Sequence, residues 1–279
     1  MSLEILPAME QRSPEWYAAR CGMVTASAVG ALLSVSAPGA RHYDCPDCHA
    51  EAGHSCISKA SKTAAPIKTM HPARVAVADE HAATAAPIVT TATGDTAKSL
   101  TLSLVAERIT QYVEPTFTSD AMWRGIHDEP LARDKYAEHY GVKVSEVGFM
   151  VRDDWGFPIG FSPDGLVGDD GLIEVKSRNQ KRQVGTVLAA DVPAENMAQI
   201  QAGLLVSGRA WCDYVSYAGG MHMWTKRILP DPAWHAAIIE AVRAFETTAA
   251  DMVDTYLSRV VGLPMTERID DPTNLGLEF

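Results

Sequence analysis

Several features are missing from this 279-residue chain or scarce in it. No stretch approaches the ~18 uninterrupted apolar residues of a membrane span, and no basic-then-apolar N-terminus suggests an export signal. A cytoplasmic protein without a membrane partner is therefore expected. Positive charge is also scarce: 24 Lys and Arg stand against 35 Asp and Glu, a net charge of −11. That balance argues against a protein that simply coats DNA, but it leaves room for an enzyme handling DNA in one local channel. Finally, no internal repeat is present, which argues against a repeat architecture.

What is there describes a globular protein. Hydrophobic residues make up 47% and charged residues 21%, so wholesale disorder is excluded. The length suits one large domain or two small ones and buries a core without disulfide staples. Five cysteines are present, and Cys45, Cys48 and Cys56 crowd into twelve positions. Without an export signal, that crowding points to metal binding before disulfides. Charge is unevenly spread as well: residues 120–175 carry five bases against twelve acids, and the run Lys176–Gln183 carries four bases and no acid. A cation site beside a phosphate-binding surface has this pattern, and so do two oppositely charged solvated faces.

Along the chain, Ser13-Pro14 opens a short helix, and Thr25 or Ser27 is placed to cap a second one. Residues 35–93 lack a sustained apolar period and read as an inserted module followed by an Ala-rich connector. Helical periodicity resumes over Ala97–Val113 and about Met122–Tyr140. Short strands follow, with Gly168-Asp169-Asp170-Gly171 as a hairpin signal between Leu166-Val167 and Leu172–Lys176. Helix Glu195–Ser207, strands Ala210–Tyr217 and His222–Leu229, and a long helix Pro232–Tyr256 complete the pattern. This order indicates a mixed α/β (α+β) fold. The expected layout is N-terminal helices (1–40), a zinc-binding insertion (41–75), a connector (76–94), a core (95–260) and a tail (261–279).

The stretch Ser162–Arg178 carries the most chemistry. Glu174 and Lys176 lie two apart on one strand and share a face, and the hairpin brings Asp164 alongside Glu174. Two carboxylates and an amine at a sheet end suit a hard divalent cation such as Mg²⁺, and imply metal-assisted attack of water on a phosphodiester. An exposed i, i+2 ion pair on an edge strand would give the same spacing. Glu129 on an upstream helix and Gln199 on the following one add polar groups that a plain ion pair does not need.

Five fragments, RCGMVTAS (Arg20–Ser27), WRGIHDEPLA (Trp123–Ala132), SPDGL (Ser162–Leu166), IEVKS (Ile173–Ser177) and MAQIQ (Met197–Gln201), occur in an order that resembles the YqaJ-like viral recombinases. That group is the phage lambda exonuclease family of the PD-(D/E)xK nuclease superfamily. The resemblance implies a restriction-endonuclease-like core, a central mixed sheet flanked by helices. It implies that Asp164, Glu174 and the Val175 carbonyl hold Mg²⁺ or Mn²⁺, that Lys176 positions the attacking water, that Glu129 serves a second metal and that Gln199 orients water or phosphate. Arg20 and Ser27 match the family's anchor for a 5′-phosphate, chemistry suited to an Arg beside a helix N-terminus. The basic run adds Arg178, Lys181 and Arg182 as expected DNA contacts. The implied reaction is 5′→3′ digestion of one strand of linear duplex DNA to leave 3′ overhangs, by a homotrimer working beside a single-strand annealing protein.

Cys45, Cys48, Cys56 and His71 read C-x2-C-x7-C-x14-H, a set suited to structural Zn²⁺; His49 and His54 are alternative fourth ligands. The segment resembles a zinc-binding motif of actinobacterial phage proteins, with His49 where glycine is usual. Lys59, Lys62, Lys68 and Arg74, with no acid among them, offer contacts to a DNA backbone. Two other readings stay open: an endonuclease of the same superfamily, and a non-catalytic zinc protein that binds DNA ends. An iron–sulfur nuclease is disfavoured, since Cys212 alone lies beyond Lys176.

Overall fold

The computed structural model describes residues 3–6, 9–58, 65–82, 84–115 and 119–268. Strand β1 (Leu3–Leu6) precedes α1 (Pro14–Arg20), whose first turn is capped by Ser13 accepting the Trp16 N–H. Then come β2 (Leu33–Ser36), α2 (Pro72–His81), β3 (Ile88–Thr91), α3 (Asp95–Thr110) and α4 (Asp120–Tyr140). Strands β4 (Val144–Ser145), β5 (Phe149–Arg152), β6 (Ile159–Phe161), β7 (Gly165–Val167) and β8 (Gly171–Ser177) follow. Helices α5 (Gln180–Ala189) and α6 (Ala194–Ser207), strands β9 (Trp211–Tyr217) and β10 (Trp224–Ile228), and helix α7 (Pro232–Arg259) complete the chain.

The main sheet has the order β10-β9-β8-β7-β4. Only the β8–β9 pair is parallel, and a parallel pair needs a crossover, which α5 and α6 supply. Strand β8 is covered on both faces. Leu172 joins a core with Ile200, Leu204, Tyr214, Ile238 and Phe245. Ile173 and Val175 join Val215, Ala132 and Tyr136 on the other side. Helix α4 is thereby held against β8, with the Tyr136 hydroxyl donating to buried Asp213 of β9 at 2.6 Å. A second sheet, β1-β5-β6, and a two-stranded ribbon, β2-β3, flank this core.

Several expectations need correcting. The second N-terminal helix is instead a 3-10 turn, Val29–Leu32, feeding β2. Thr25 is extended there because it bridges Gly160 of β6, with the Ala26 N–H donating to the Gly160 carbonyl at 2.8 Å. The segment read as a connector contains most of α2 and all of β3, and the basic run contains the first turn of α5. The Gly168 hairpin turn is as expected, with φ +54°. Residues 263–268 have no regular structure; the rest of the tail, together with Lys59 and Lys62, lies outside the described residues.

Candidate active site and metal centre

Asp164 stands where β6 has ended and β7 begins, and its Oδ2 accepts the Val175 N–H at 2.7 Å. That bond ties the aspartate to β8 next to Glu174, which is 1% exposed. Lys176 Nζ donates to Glu174 Oε1 at 2.6 Å and to Gln199 Oε1 at 2.9 Å. The strand pair and α6 thus bring Asp164, Glu174, Lys176 and Gln199 together. Burial lowers the Lys176 ammonium's affinity for its proton, but Glu174 and Asp164 outweigh it and the pKa is raised overall. Lys176 is therefore a fixed cation rather than a free base.

Glu129 reaches the same group from α4. Its Oε1 accepts from Arg133 at 3.3 Å, an i, i+4 pair. Pro130 follows it inside the helix and removes one helical N–H donor. Burial raises the Glu129 pKa; Arg133 opposes this and Glu174 adds to it. Asp164 is shifted up for the same first reason, burial, reinforced by the charges of Glu174 and Glu129. Three carboxylates gathered in a poorly hydrated place with limited positive charge form a donor set that a hard divalent cation fits. Beside them opens a cleft of about 420 Å³ lined by Arg12, Glu129, Arg133, Glu146 and Pro163 among others.

Arg133 escaped the sequence reading. Its guanidinium donates to the Asp164 carbonyl at 3.0 Å and pairs with Glu146 at 2.7 Å, so one side chain aligns the helix carboxylate with the strand carboxylate. Its i+4 spacing from Glu129 was the available signal. Ser177, on the face opposite Lys176, donates to Asp128 at 2.6 Å and accepts from Arg124 at 3.0 Å, which fastens the end of β8 to α4.

Arg20 lies with its guanidinium carbon 4.1 Å from the centre of the Trp16 ring and donates to Thr25 Oγ1 at 3.3 Å. Thr25 Oγ1 is 3.2 Å from the exposed Ser27 Oγ. Trp16 is buried, and its Nε1 donates to Ser162 at 2.8 Å, two residues before Asp164. The Arg20–Ser27 segment is therefore wired to the carboxylate loop. Arg178 is a correction: it is 7% exposed, and its guanidinium donates to Tyr214 and Asn196, so it joins β8 to α6 and presents no surface charge. Lys181 and Arg182 are exposed on the first turn of α5.

The cysteine cluster closes on itself. One ligand atom from each of Cys45, Cys48, Cys56 and His71 lies within 4.8 Å of the others, and Cys45 Sγ is 3.4 Å from His71 Nδ1. Tetrahedral zinc with Zn–S near ~2.3 Å separates its ligands by roughly 3.8 Å, so the set fits that ion. His49 and His54 are exposed and lie outside the cluster. His49 nevertheless adopts φ +57°, the left-handed turn that glycine would take without strain. For the Cys48 thiol, burial is outweighed by the Ile57 and Ala50 amides and by Cys45 and His71, which bring it down to about 6, suiting a thiolate ligand. Arg74, expected to face DNA, is a second correction. It is 0% exposed, with short bonds to the carbonyls of Tyr43 (2.7 Å), His54 (2.8 Å) and Glu51 (2.8 Å).

A catalytic-type carboxylate–lysine group on a mixed sheet and a separate Cys3His centre define a nuclease-like fold joined to a zinc-finger-like module. Residues 78–210 match the model of the YqaJ-like viral recombinase domain, and residues 10–91 match that of a phage zinc finger domain described as DNA-binding. The chain is also similar to the crystal structure of an alkaline exonuclease, LHK-Exo, from Laribacter hongkongensis. There the TM-score is 0.64 at 26% identity, over 90% of this chain and 100% of that one. The complex of LHK-Exo with dAMP matches at TM-score 0.63, with the same identity and coverage. No curated protein matches the chain significantly.

Proposed function

We propose that this protein is a divalent-metal-dependent exonuclease. It digests one strand of linear duplex DNA from a 5′ end and leaves 3′ overhangs for phage-type recombination. The observation that carries this reading is the junction of Asp164, Glu174, Lys176 and Gln199 through the Val175 amide and the Lys176 ammonium. It lies inside the span matching the YqaJ-like domain. The likeness to an alkaline exonuclease, one structure of which holds dAMP, supports an exonuclease that releases deoxynucleoside monophosphates.

In this reading Asp164, Glu174 and the Val175 carbonyl hold Mg²⁺ or Mn²⁺, and Glu129 serves a second ion. The ion supplies Lewis acidity and a water of lowered pKa. Lys176 stabilises negative charge developing on the attacking oxygen and the phosphate, acting as a preorganised cation held by Glu174. Gln199 orients Lys176 through its carbonyl oxygen and leaves its amide to face water or phosphate. Arg133 keeps Glu129 in register with Asp164. Arg20 and Ser27 receive the terminal 5′-phosphate, and Lys181 and Arg182 follow the backbone. Asp164 lies four positions along the chain from Gly160, with which Thr25 of the anchor segment pairs, and an extended chain of that length spans at most ~13 Å, which supports an anchor close to the carboxylates.

The Cys45, Cys48, Cys56 and His71 centre holds structural Zn²⁺ in a module over 41–75, separate from the catalytic body over 95–260. The same reading extends to a cytoplasmic homotrimer that encircles duplex ends beside a single-strand annealing protein. The experiment is Mg²⁺-dependent digestion of end-labelled linear duplex next to a covalently closed circle. Loss of the linear form from its 5′ ends with the circle intact is expected. Cutting of the circle would replace this reading with an endonuclease.

A further inference from the structure

The turn that follows Arg20 is gripped by charged side chains that the proposed reaction does not use. Gly22 stands at φ +66°. Its N–H donates to Glu107 Oε2 at 2.7 Å, and its carbonyl accepts from Arg108 Nε at 2.7 Å. Both partners are consecutive residues of α3. Arg108 spends its remaining nitrogens on both carboxylate oxygens of Glu246 in α7, at 2.8 and 2.7 Å. A Cβ at Gly22 would stand 2.4 Å from Arg108 Cγ, so the glycine also makes room for its own clamp.

The other side of the same turn is tied to the segment that leads to Asp164. Arg20 reaches Thr25 and covers Trp16, Trp16 holds Ser162, and Thr25 pairs with Gly160. The turn thus spans from the α3–α7 pair to the loop bearing Asp164. A glycine turn left to itself has wide conformational freedom. Fixing both of its backbone groups in advance removes the ordering cost that a ligand would otherwise meet. Burial lowers the Arg20 pKa and the charge of Glu107 opposes that shift, which adds an electrostatic link between the clamp and the anchor.

We propose that Glu107, Arg108 and Glu246 are positioning residues that set the Arg20–Ser27 anchor against the hydrolytic carboxylates and so determine the preference for 5′-phosphorylated over 5′-hydroxyl duplex ends. The inference rests on the reading of Arg20 and Ser27 as the end-phosphate anchor. A displacement of even 1 Å in such a contact is costly, whereas a general loss of folded enzyme would reduce both substrates alike.

The test is the ratio of kcat/KM on linear duplexes bearing 5′-phosphate or 5′-hydroxyl ends, for the wild type, Arg108→Met, Glu246→Gln, Arg20→Ala and the Arg20→Ala/Arg108→Met double variant. Arg108→Met is expected to lower the ratio about tenfold through KM on the phosphorylated end, the loss of roughly one charge-assisted hydrogen bond. Glu246→Gln is expected to lower it less, and it carries the test alone if Arg108→Met fails to fold. Arg20→Ala should bring the ratio near one, and the double variant should go no lower. If Arg20→Ala collapses the ratio while Arg108→Met and Glu246→Gln keep it at the wild-type value, the clamp only supports the fold and the inference is overturned. If Arg20→Ala itself leaves the ratio unchanged, the anchor reading fails and takes the clamp's role with it.

Discussion

Arg74 offers a quantitative test of the zinc module. Its guanidinium is fully buried and ties three carbonyls, from Tyr43, Glu51 and His54, at 2.7–2.8 Å, and its Nη1 lies 3.5 Å from Cys56 Sγ. These carbonyls come from the loops that carry Cys45, Cys48 and Cys56, so the arginine fixes the ligand spacing from outside the coordination sphere. A hydrogen bond to a charged donor contributes about 1.5–3 kcal/mol. Allowing for partial relaxation and water entry, Arg74→Met should cost the module about 4–5 kcal/mol. Structural zinc sites bind with roughly 10–16 kcal/mol, so the ion should still bind, but about a thousandfold more weakly. Competition with a chromogenic chelator reads this directly. Arg74→Lys, which keeps the charge but not the fork, should fall between. Zinc affinity of Arg74→Met within threefold of wild type would refute the claim that this side chain organises the site.

Other outcomes follow from the same contacts. Asp164 and Glu129 hold their protons more tightly than ordinary carboxyls. Between the ordinary carboxylate range and the raised values the folded state binds more protons, so metal-free stability should fall as pH rises through that window. Mg²⁺ competes with those protons, and its stabilising shift in Tm should be larger at pH 8 than at pH 5; an equal or larger shift at pH 5 would count against metal binding by this pair. Replacing Lys181 and Arg182 together by Gln should reduce the slope of log affinity for duplex DNA against log salt by about 1.8. Arg178→Met should instead lower Tm, by about 2–4 °C per kcal/mol lost, with the slope unchanged. A change of slope for Arg178→Met would return that residue to the DNA surface.

Much of this structure was legible in the sequence, for identifiable reasons. Strand β8 and its hairpin were readable because Gly168 and Gly171 punctuate an apolar run. Glu174 and Lys176 then had to share a face. Long helices such as α3 and α7 were readable from the spacing of their apolar residues. The cysteine spacing pointed to three ligands, and His71, chosen over His49 and His54 for the fourth on the motif resemblance, is the histidine that the structure brings beside them. What stayed hidden was tertiary. Four-residue strands β1, β2 and β3 have too little pattern to announce themselves, and their pairing partners lie from about 50 to nearly 150 residues away. Arg74 and Arg178 are basic residues in basic runs, and charge alone points such residues to the surface. Their burial depends on carbonyls, a tyrosine and an asparagine brought in from elsewhere in the chain. The Gly22 clamp was likewise invisible, because Glu107, Arg108 and Glu246 meet the turn only after three helices have packed.

The central claim is that the group joined by Lys176 hydrolyses DNA. It is tested most directly by measuring Mg²⁺-dependent release of nucleotides from a linear 5′-phosphorylated duplex by the wild type and Lys176→Met, alongside duplex-end binding in the absence of metal. Removing a preorganised cation from the developing charge should lower turnover at least 10²-fold while binding of the end persists. A Lys176→Met protein that keeps more than a tenth of wild-type turnover would contradict the account.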